Sequence, residues 1–287
     1  MNSVPFRIIL PVFLLLVSVA RAQDDLRFEK RFVESEDKWV VFQKGEDGKY
    51  VLGFIYIDQQ AGLTLNYECL FTISDKNQYV REVKPDSQLV AYKVRLKNNN
   101  VKVAWLPAAR FAELHVADPP SWLGVYKSYT DTAARLQRWG YYYNDWGMSE
   151  KALEYLEPGY KRAPAFKDMA TELGFAYNAL EQFDKAIPVL EKAAELTPED
   201  GYVYKELSYA YLSKGDIEAG AKAAESGVKY YDDKRMKAEI AHNVAYHYYL
   251  KKDKKQFARW AAETKKWAEE GSEFAKRIDY MQKKLEE

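Results

Sequence analysis

The sequence has one cysteine, Cys69, and three histidines among its 287 residues. One thiol cannot close an internal disulfide, and a multi-cysteine metal site is excluded with it. Three histidines leave little for zinc. There is no excess of either charge: 43 Lys and Arg stand against 43 Asp and Glu. The basic footprint of a nucleic-acid binder is therefore missing. Also missing are G-x-S-x-G, G-x-x-x-x-G-K-[ST], G-x-G-x-x-G and H-E-x-x-H, and with them the common nucleophile, phosphate-loop, dinucleotide and zinc-protease signatures. Past residue 22 no apolar run approaches the roughly 20 residues that cross a bilayer. What remains, 47% hydrophobic and 30% charged, is enough to bury a core.

Residues 1–22 read as a removable export signal. Arg7 and the free amine supply positive charge, Ile8 to Ala20 is apolar except for Pro11 and Ser18, and Ala20-Arg21-Ala22 gives a small-x-small cleavage site. The expected mature chain starts at Gln23 and carries 41 basic and 43 acidic side chains. It is expected outside the cytoplasm, in a periplasm or extracellular, with no membrane span. No cysteine at the cleavage site supports a lipid anchor, and the terminal Lys283-Lys284-Leu285-Glu286-Glu287 is not an ER-retention signal.

Residues 26–117 alternate with period two. Val51, Gly53, Ile55 and Ile57 share one side of a strand, as do Leu63, Leu65, Tyr67, Cys69, Phe71 and Ile73 after the turn Gln59-Gln60-Ala61-Gly62. Gly45-Glu46-Asp47-Gly48 separates Trp39–Gln43 from Tyr50–Ile57. Val90, Tyr92, Val94 and Leu96 lead through Asn98-Asn99-Asn100 into Val101, Val103 and Trp105, which reads as a hairpin. About seven short antiparallel strands make a small sandwich or barrel, and the pattern does not choose between them. Cys69 belongs to the buried face.

Asp118-Pro119-Pro120-Ser121 ends the strand pattern and opens a linker and lead-in helix over 118–132. Beyond it the period is helical and a step of 34 residues appears. Gly140 and Gly174, Ala152 and Ala186, Pro164 and Pro198, and Tyr143, Tyr177 and Tyr211 all keep this spacing. These residues resemble the tetratricopeptide repeat (TPR) family, a 34-residue helix–turn–helix unit. Units run over 133–166, 167–200 and 201–234. A degenerate fourth follows, with Tyr249 38 residues after Tyr211, and 273–287 is a capping helix. The expected fold is α+β in separate domains: a small antiparallel β sandwich or barrel, then an all-α TPR solenoid over 133–272. Small residues at Gly140, Gly174 and Ser208 let paired helices approach closely. Pro188 is tolerable if it falls in the first turn of its helix.

No catalytic residue, metal site or cofactor is expected. Glu239 and His242 lie one turn apart, but such a pair occurs once where a di-iron bundle needs two. Glu113, His115 and Asp118 lack a matching nucleophile. The resemblance implies a concave groove lined by the first helix of each unit, which binds protein or peptide. Carried over unit by unit, the groove residues are Gln137, Tyr141 and Asn144; Thr171, Phe175 and Asn178; Lys205 and Tyr209, with Leu212; and Asn243 and His247, with Leu250. Tyr141, Phe175, Tyr209 and His247 would form an aromatic stripe, and Asn144 and Asn178 would bond an extended peptide backbone. Of the basic residues by which some TPR proteins clamp acidic C-termini, only Lys205 has a counterpart. The expected function is that of an exported, non-enzymatic adaptor, with self-association as a further possibility. The alternative is a glycan- or small-molecule-binding, or enzymatic, β domain. Trp39, Trp105, Tyr67 and Tyr92 are its candidate aromatics, although their spacing reads as core.

Overall fold

The computed structural model describes residues 26–82, 92–128 and 131–287. The export signal at 1–22 and the start of the strand read at Val90 lie outside these residues.

Six strands among the described residues form one antiparallel sheet: β1 (Lys38–Val41), β2 (Tyr50–Asp58), β3 (Gly62–Ile73), β4 (Tyr79–Arg81), β5 (Lys93–Arg95) and β6 (Ala104–Trp105). The order is β4-β3-β2-β1-β6, with β5 also on β3. The β1–β2 and β2–β3 hairpins follow the expected turns. At the second, Asp58 Oδ1 accepts the backbone N–H groups of Gln60 and Ala61, both at 2.8 Å. The hairpin expected at Asn98-Asn99-Asn100 does not form. β5 pairs with β3, and β6 pairs with β1 on the opposite edge, so the segment between them is a crossover. Local pattern shows a turn but not which sheet edge receives the next strand.

β3 corrects the period-two reading. Leu52 pairs with Cys69 and Gly53 with Tyr67, leaving Glu68 as an extra residue in a β-bulge. The alternation changes phase there. Leu63 and Leu65 enter one core, Cys69 and Phe71 the other. Glu68 accepts Arg81 Nη2 at 2.7 Å. Cys69 is buried, as expected.

The second layer of the expected sandwich is not another sheet. One face carries Trp39, Leu52, Phe54, Tyr56, Cys69 and Phe71. It is covered by the chain from Leu106 onward and by α1 (Leu123–Tyr126). Trp122 stands edge-on to Phe54 and Tyr56 at 5.7 and 5.3 Å, and the Trp39 indole donates to Ala117 O at 2.9 Å. The proline-rich segment after Asp118 therefore leads into a packed cover rather than a free spacer. The other face, with Val40, Ile55, Ile57, Leu63 and Leu65, shares one continuous core with Trp139, Tyr142, Tyr143 and Trp146 of the first repeat.

The helical part follows the 34-residue step. The pairs are α2 (Thr132–Asp145) with α3 (Ser149–Arg162), α4 (Met169–Ala179) with α5 (Phe183–Leu196), α6 (Gly201–Lys214) with α7 (Ile217–Tyr230), and α8 (Lys234–Leu250) with α9 (Lys254–Trp267). α10 (Glu273–Glu286) closes the array. Asp131, Asp200, Asp216, Asp233, Asp253 and Ser272 cap helix N-termini with their side chains. A Cβ on Gly140 would stand 2.2 Å from Leu156, and one on Gly174 2.4 Å from Leu190, so both sites demand the smallest residue. Pro188 lies at the sixth residue of α5, past the first turn in which it was expected, and the helix continues through it. Buried Ala186, Leu190 and Ala193 hold α5 in place despite the lost N–H.

α8 is three residues longer than α6, and the fourth unit is offset by 37 residues from the third, not 38. At that offset Ala245 takes the small position of Ser208, and Tyr248 takes the place of Tyr211. In α9 Ala258 and Ala262 are exposed, and Phe257 and Ala261 are buried.

Candidate functional site

α2, α4, α6 and α8 place one aromatic ring per repeat on the same side of the array: Tyr141 (39% exposed), Phe175 (half-buried), Tyr209 (43%) and Tyr246 (44%). Tyr246 replaces His247 in the stripe, a consequence of the 37-residue offset. His247 is only partly exposed and burial lowers its pKa. Leu212 is buried in the core, and Leu250 is exposed.

Two cavities lie along this surface. One, of about 320 Å³, gathers the expected Phe175, Asn178, Lys205, Tyr209 and Asn243, and adds Glu181, Glu206 and Glu239. The other, of about 470 Å³, gathers the expected Gln137 and Tyr141 with Arg138, Asp168 and Glu172. It also includes Gln59, from the β2–β3 turn. The β2–β3 turn thus borders this cavity. Gly62 in that turn sits at φ +81°, and a Cβ there would meet the Tyr142 ring at 2.8 Å. Thr171 is buried, and neither it nor His247 lines either cavity.

Asn144 and Asn178 do not present free amides to a peptide. Both are buried, and both clip neighbouring repeats together in identical geometry. Asn144 Nδ2 donates to Glu172 O at 2.9 Å and Oε2 at 3.0 Å, and Asn178 Nδ2 donates to Glu206 O and Oε2 at the same distances. Asn144→Glu172 and Asn178→Glu206 each span 28 residues, a spacing visible in the sequence but not read there. The exchange expected with a ligand backbone is therefore already made within the protein, for the amide N–H groups.

Glu172, Glu206 and Glu239 are the site residues that pattern reading missed as groove residues. Burial pushes the Glu172 carboxyl up to about 7, against the hydrogen bond from Asn144, with Asp168 and Glu206 adding to the rise. Lys205 lies 3.2 Å from Glu206 and 3.9 Å from Glu239. Burial acts to lower its pKa, and these two carboxylates outweigh it, holding the ammonium above the ordinary lysine value.

A second interrepeat pattern runs through the tyrosines. Tyr177 OH donates to Glu157 Oε1 at 2.8 Å and Tyr211 OH to Glu191 Oε1 at 2.5 Å, 20 residues back in each case. Both hydroxyls are pushed up to about 12, by burial first and then by the carboxylate. Residues 168–200, the second helix pair, match the family model described as tetratricopeptide repeat. These residues form a tetratricopeptide repeat.

No curated protein matches this chain. Among solved structures, MamA from Desulfovibrio magneticus RS-1 is similar at 18% identity, over 57% of this chain and 82% of that one, with a TM-score of 0.40. TTC0263, a thermophilic TPR protein in Thermus thermophilus, is similar at 17% identity over 53% and 81%, with a TM-score of 0.42. MamA MSR-1 is similar at 20% identity over 60% and 89%, with a TM-score of 0.42. The repeat assignment itself rests on residues 168–200 and on the helix pairs that copy them to either side.

The β-domain aromatics divide. Trp39 is buried, but Trp105 (38% exposed) and Tyr92 (54%) are not the core residues their spacing suggested. Trp105 lies under the ammonium groups of Lys30 and Lys38, at 4.9 and 5.8 Å from the ring centre. Among the described residues no three His, Cys, Asp or Glu gather as a metal site, and no helix is long and apolar enough to cross a membrane. Glu239 faces Lys205, and the His242 ring lies tilted against Phe274 at 5.3 Å.

Proposed function

We propose that this protein is a non-enzymatic adaptor that binds an extended protein segment along the concave face of its repeats. The observation that carries the reading is the aromatic stripe. Tyr141, Tyr209 and Tyr246 keep about two fifths of their surface in solvent at one position per repeat, and Tyr141 and Tyr209 line the cavities of about 470 and 320 Å³. Rigid aromatics that stay exposed at a fixed interval suit protein contact, because burying them costs little side-chain entropy. Export is part of the proposal and rests on residues 1–22. N-terminal sequencing of the chain from the native cells should begin at Gln23.

The groove is tested by selecting displayed random dodecapeptides on the full chain. Selected peptides should bind at least about tenfold more weakly to the Tyr141→Ala/Tyr209→Ala variant. Equal affinity for both proteins would remove the groove as the binding surface.

A further inference from the structure

The cavity between α4, α6 and α8 has a chemistry of its own. Three carboxylates, Glu181, Glu206 and Glu239, line it against the single ammonium of Lys205. Glu206 is fully engaged, by Asn178 and by Lys205. Glu239 has only the 3.9 Å contact with Lys205, and the exposed Glu181 carboxylate forms no ion pair among the described residues. Asn178 is 3% exposed and lines the same cavity. Its Nδ2 is spent on Glu206, while its Oδ1 is buried with no hydrogen-bond partner. Asn144 Oδ1, in the same clip one repeat earlier, is likewise buried without a partner, so these carbonyls belong to the clip and not to the cavity. Phe175 and Tyr209 add aromatic rings, which attract a cation at their faces.

Surplus negative charge and aromatic walls converge on one kind of ligand group. We infer that this cavity receives a lysine or arginine side chain of the bound segment, with Glu181 and Glu239 as its acceptors and Tyr209 against its stem. A carboxylate or an aliphatic side chain would leave two negative charges unanswered. The inference rests on the groove reading above and names the chemistry of what the groove holds.

The experiment uses the same dodecapeptides selected on the full chain, made singly and titrated by fluorescence polarisation. Selected peptides should carry a lysine or arginine whose replacement by norleucine weakens binding about tenfold or more. Glu181→Gln/Glu239→Gln should weaken the parent peptide by a similar factor, leave the norleucine peptide unchanged, and flatten the salt dependence. Glu181→Gln alone alters an exposed side chain, so a loss seen with it is not a folding defect. If the peptides lack cationic residues, or ignore both charge variants while still losing affinity for Tyr141→Ala/Tyr209→Ala, the cation inference is overturned and the groove stands. If the tyrosine variant binds them as well as the parent protein does, both fall together.

Discussion

The hydroxyl of Tyr143 donates to the carboxylate of Glu36, in the segment leading to the first strand, where Tyr177 and Tyr211 donate to Glu157 and Glu191 of the preceding repeat. Glu36 therefore stands in for a glutamate that no preceding repeat exists to supply. It also accepts the indole N–H of Trp139 at 2.9 Å. Arg31 adds a bond from its Nη2 to Trp146 O at 2.6 Å. Burial is the main cause, and Glu36 the next, of a Tyr143 hydroxyl raised far above the ordinary tyrosine range.

Glu36→Ala strips two buried donors of their acceptor and should destabilise the protein by about 2–3 kcal/mol. Glu157→Ala removes the equivalent acceptor from an exposed position and should cost under about 1 kcal/mol. Urea titration followed by tryptophan fluorescence separates the two. Equal midpoints would mean that the Glu36 contacts contribute nothing beyond a surface bond.

Residues 133–287 alone should not form a well-packed array. Removing the sheet exposes Trp139, Tyr142, Tyr143 and Trp146, which share the core of Ile55, Ile57 and Leu63. The expected result is a broadened thermal transition and dye binding to exposed apolar surface. A sharp melt at the temperature of the full chain would show the repeats to be independent of the sheet.

Much of this architecture was legible in the residues. The 34-residue step placed the helix pairs, and Gly140 and Gly174 marked the close crossings at Leu156 and Leu190. The misreadings share a physical origin. Pattern reports local geometry, whereas the β3 bulge at Glu68, the crossover between β5 and β6 and the burial of Asn178 are decided by distant partners. The 38-residue count to Tyr249 failed because several tyrosines crowd the end of α8, and burial alone shows that Tyr248 takes the core position. Both sheet faces are buried, so neither alternation in β2 nor composition could say that a repeat covers one of them.

Gly174→Leu should cost about 2–4 kcal/mol, because even the first added carbon meets Leu190 at 2.4 Å. In Gly174→Ala, the companion change Leu190→Ala should recover part of the loss. The coupling in a double-mutant cycle should be about 1 kcal/mol or more. Strict additivity would place the strain elsewhere.

Two groups, His242 buried and Glu172 half-buried, give opposite pH dependences. His242 is buried beside Phe274, and burial lowers its pKa from 6.5. Below pH 6.5 the unfolded chain takes up a proton that the fold resists, so stability falls as pH falls. Glu172 is raised from 4.5 to about 7. Between those values the fold holds a proton that the unfolded chain has lost, so this contribution declines as pH rises. Glu172→Gln keeps an acceptor for Asn144 and should gain about 1–3 kcal/mol over the parent at pH 8, with little difference at pH 4. His242→Leu should improve relative to the parent between pH 8 and pH 5. Chemical denaturation across that range reads both, and parallel curves would show that neither group titrates as the fold implies.

A stack of helix pairs in which each unit touches only its neighbours behaves as a spring. Here the spring is clamped at one end, because the sheet grips α2 through Glu36, Arg31 and a shared core. Its compliance therefore lies toward the fourth repeat and α10. The curvature beside Tyr141 is set by the sheet, while that beside Tyr246 is held by neighbouring helices alone.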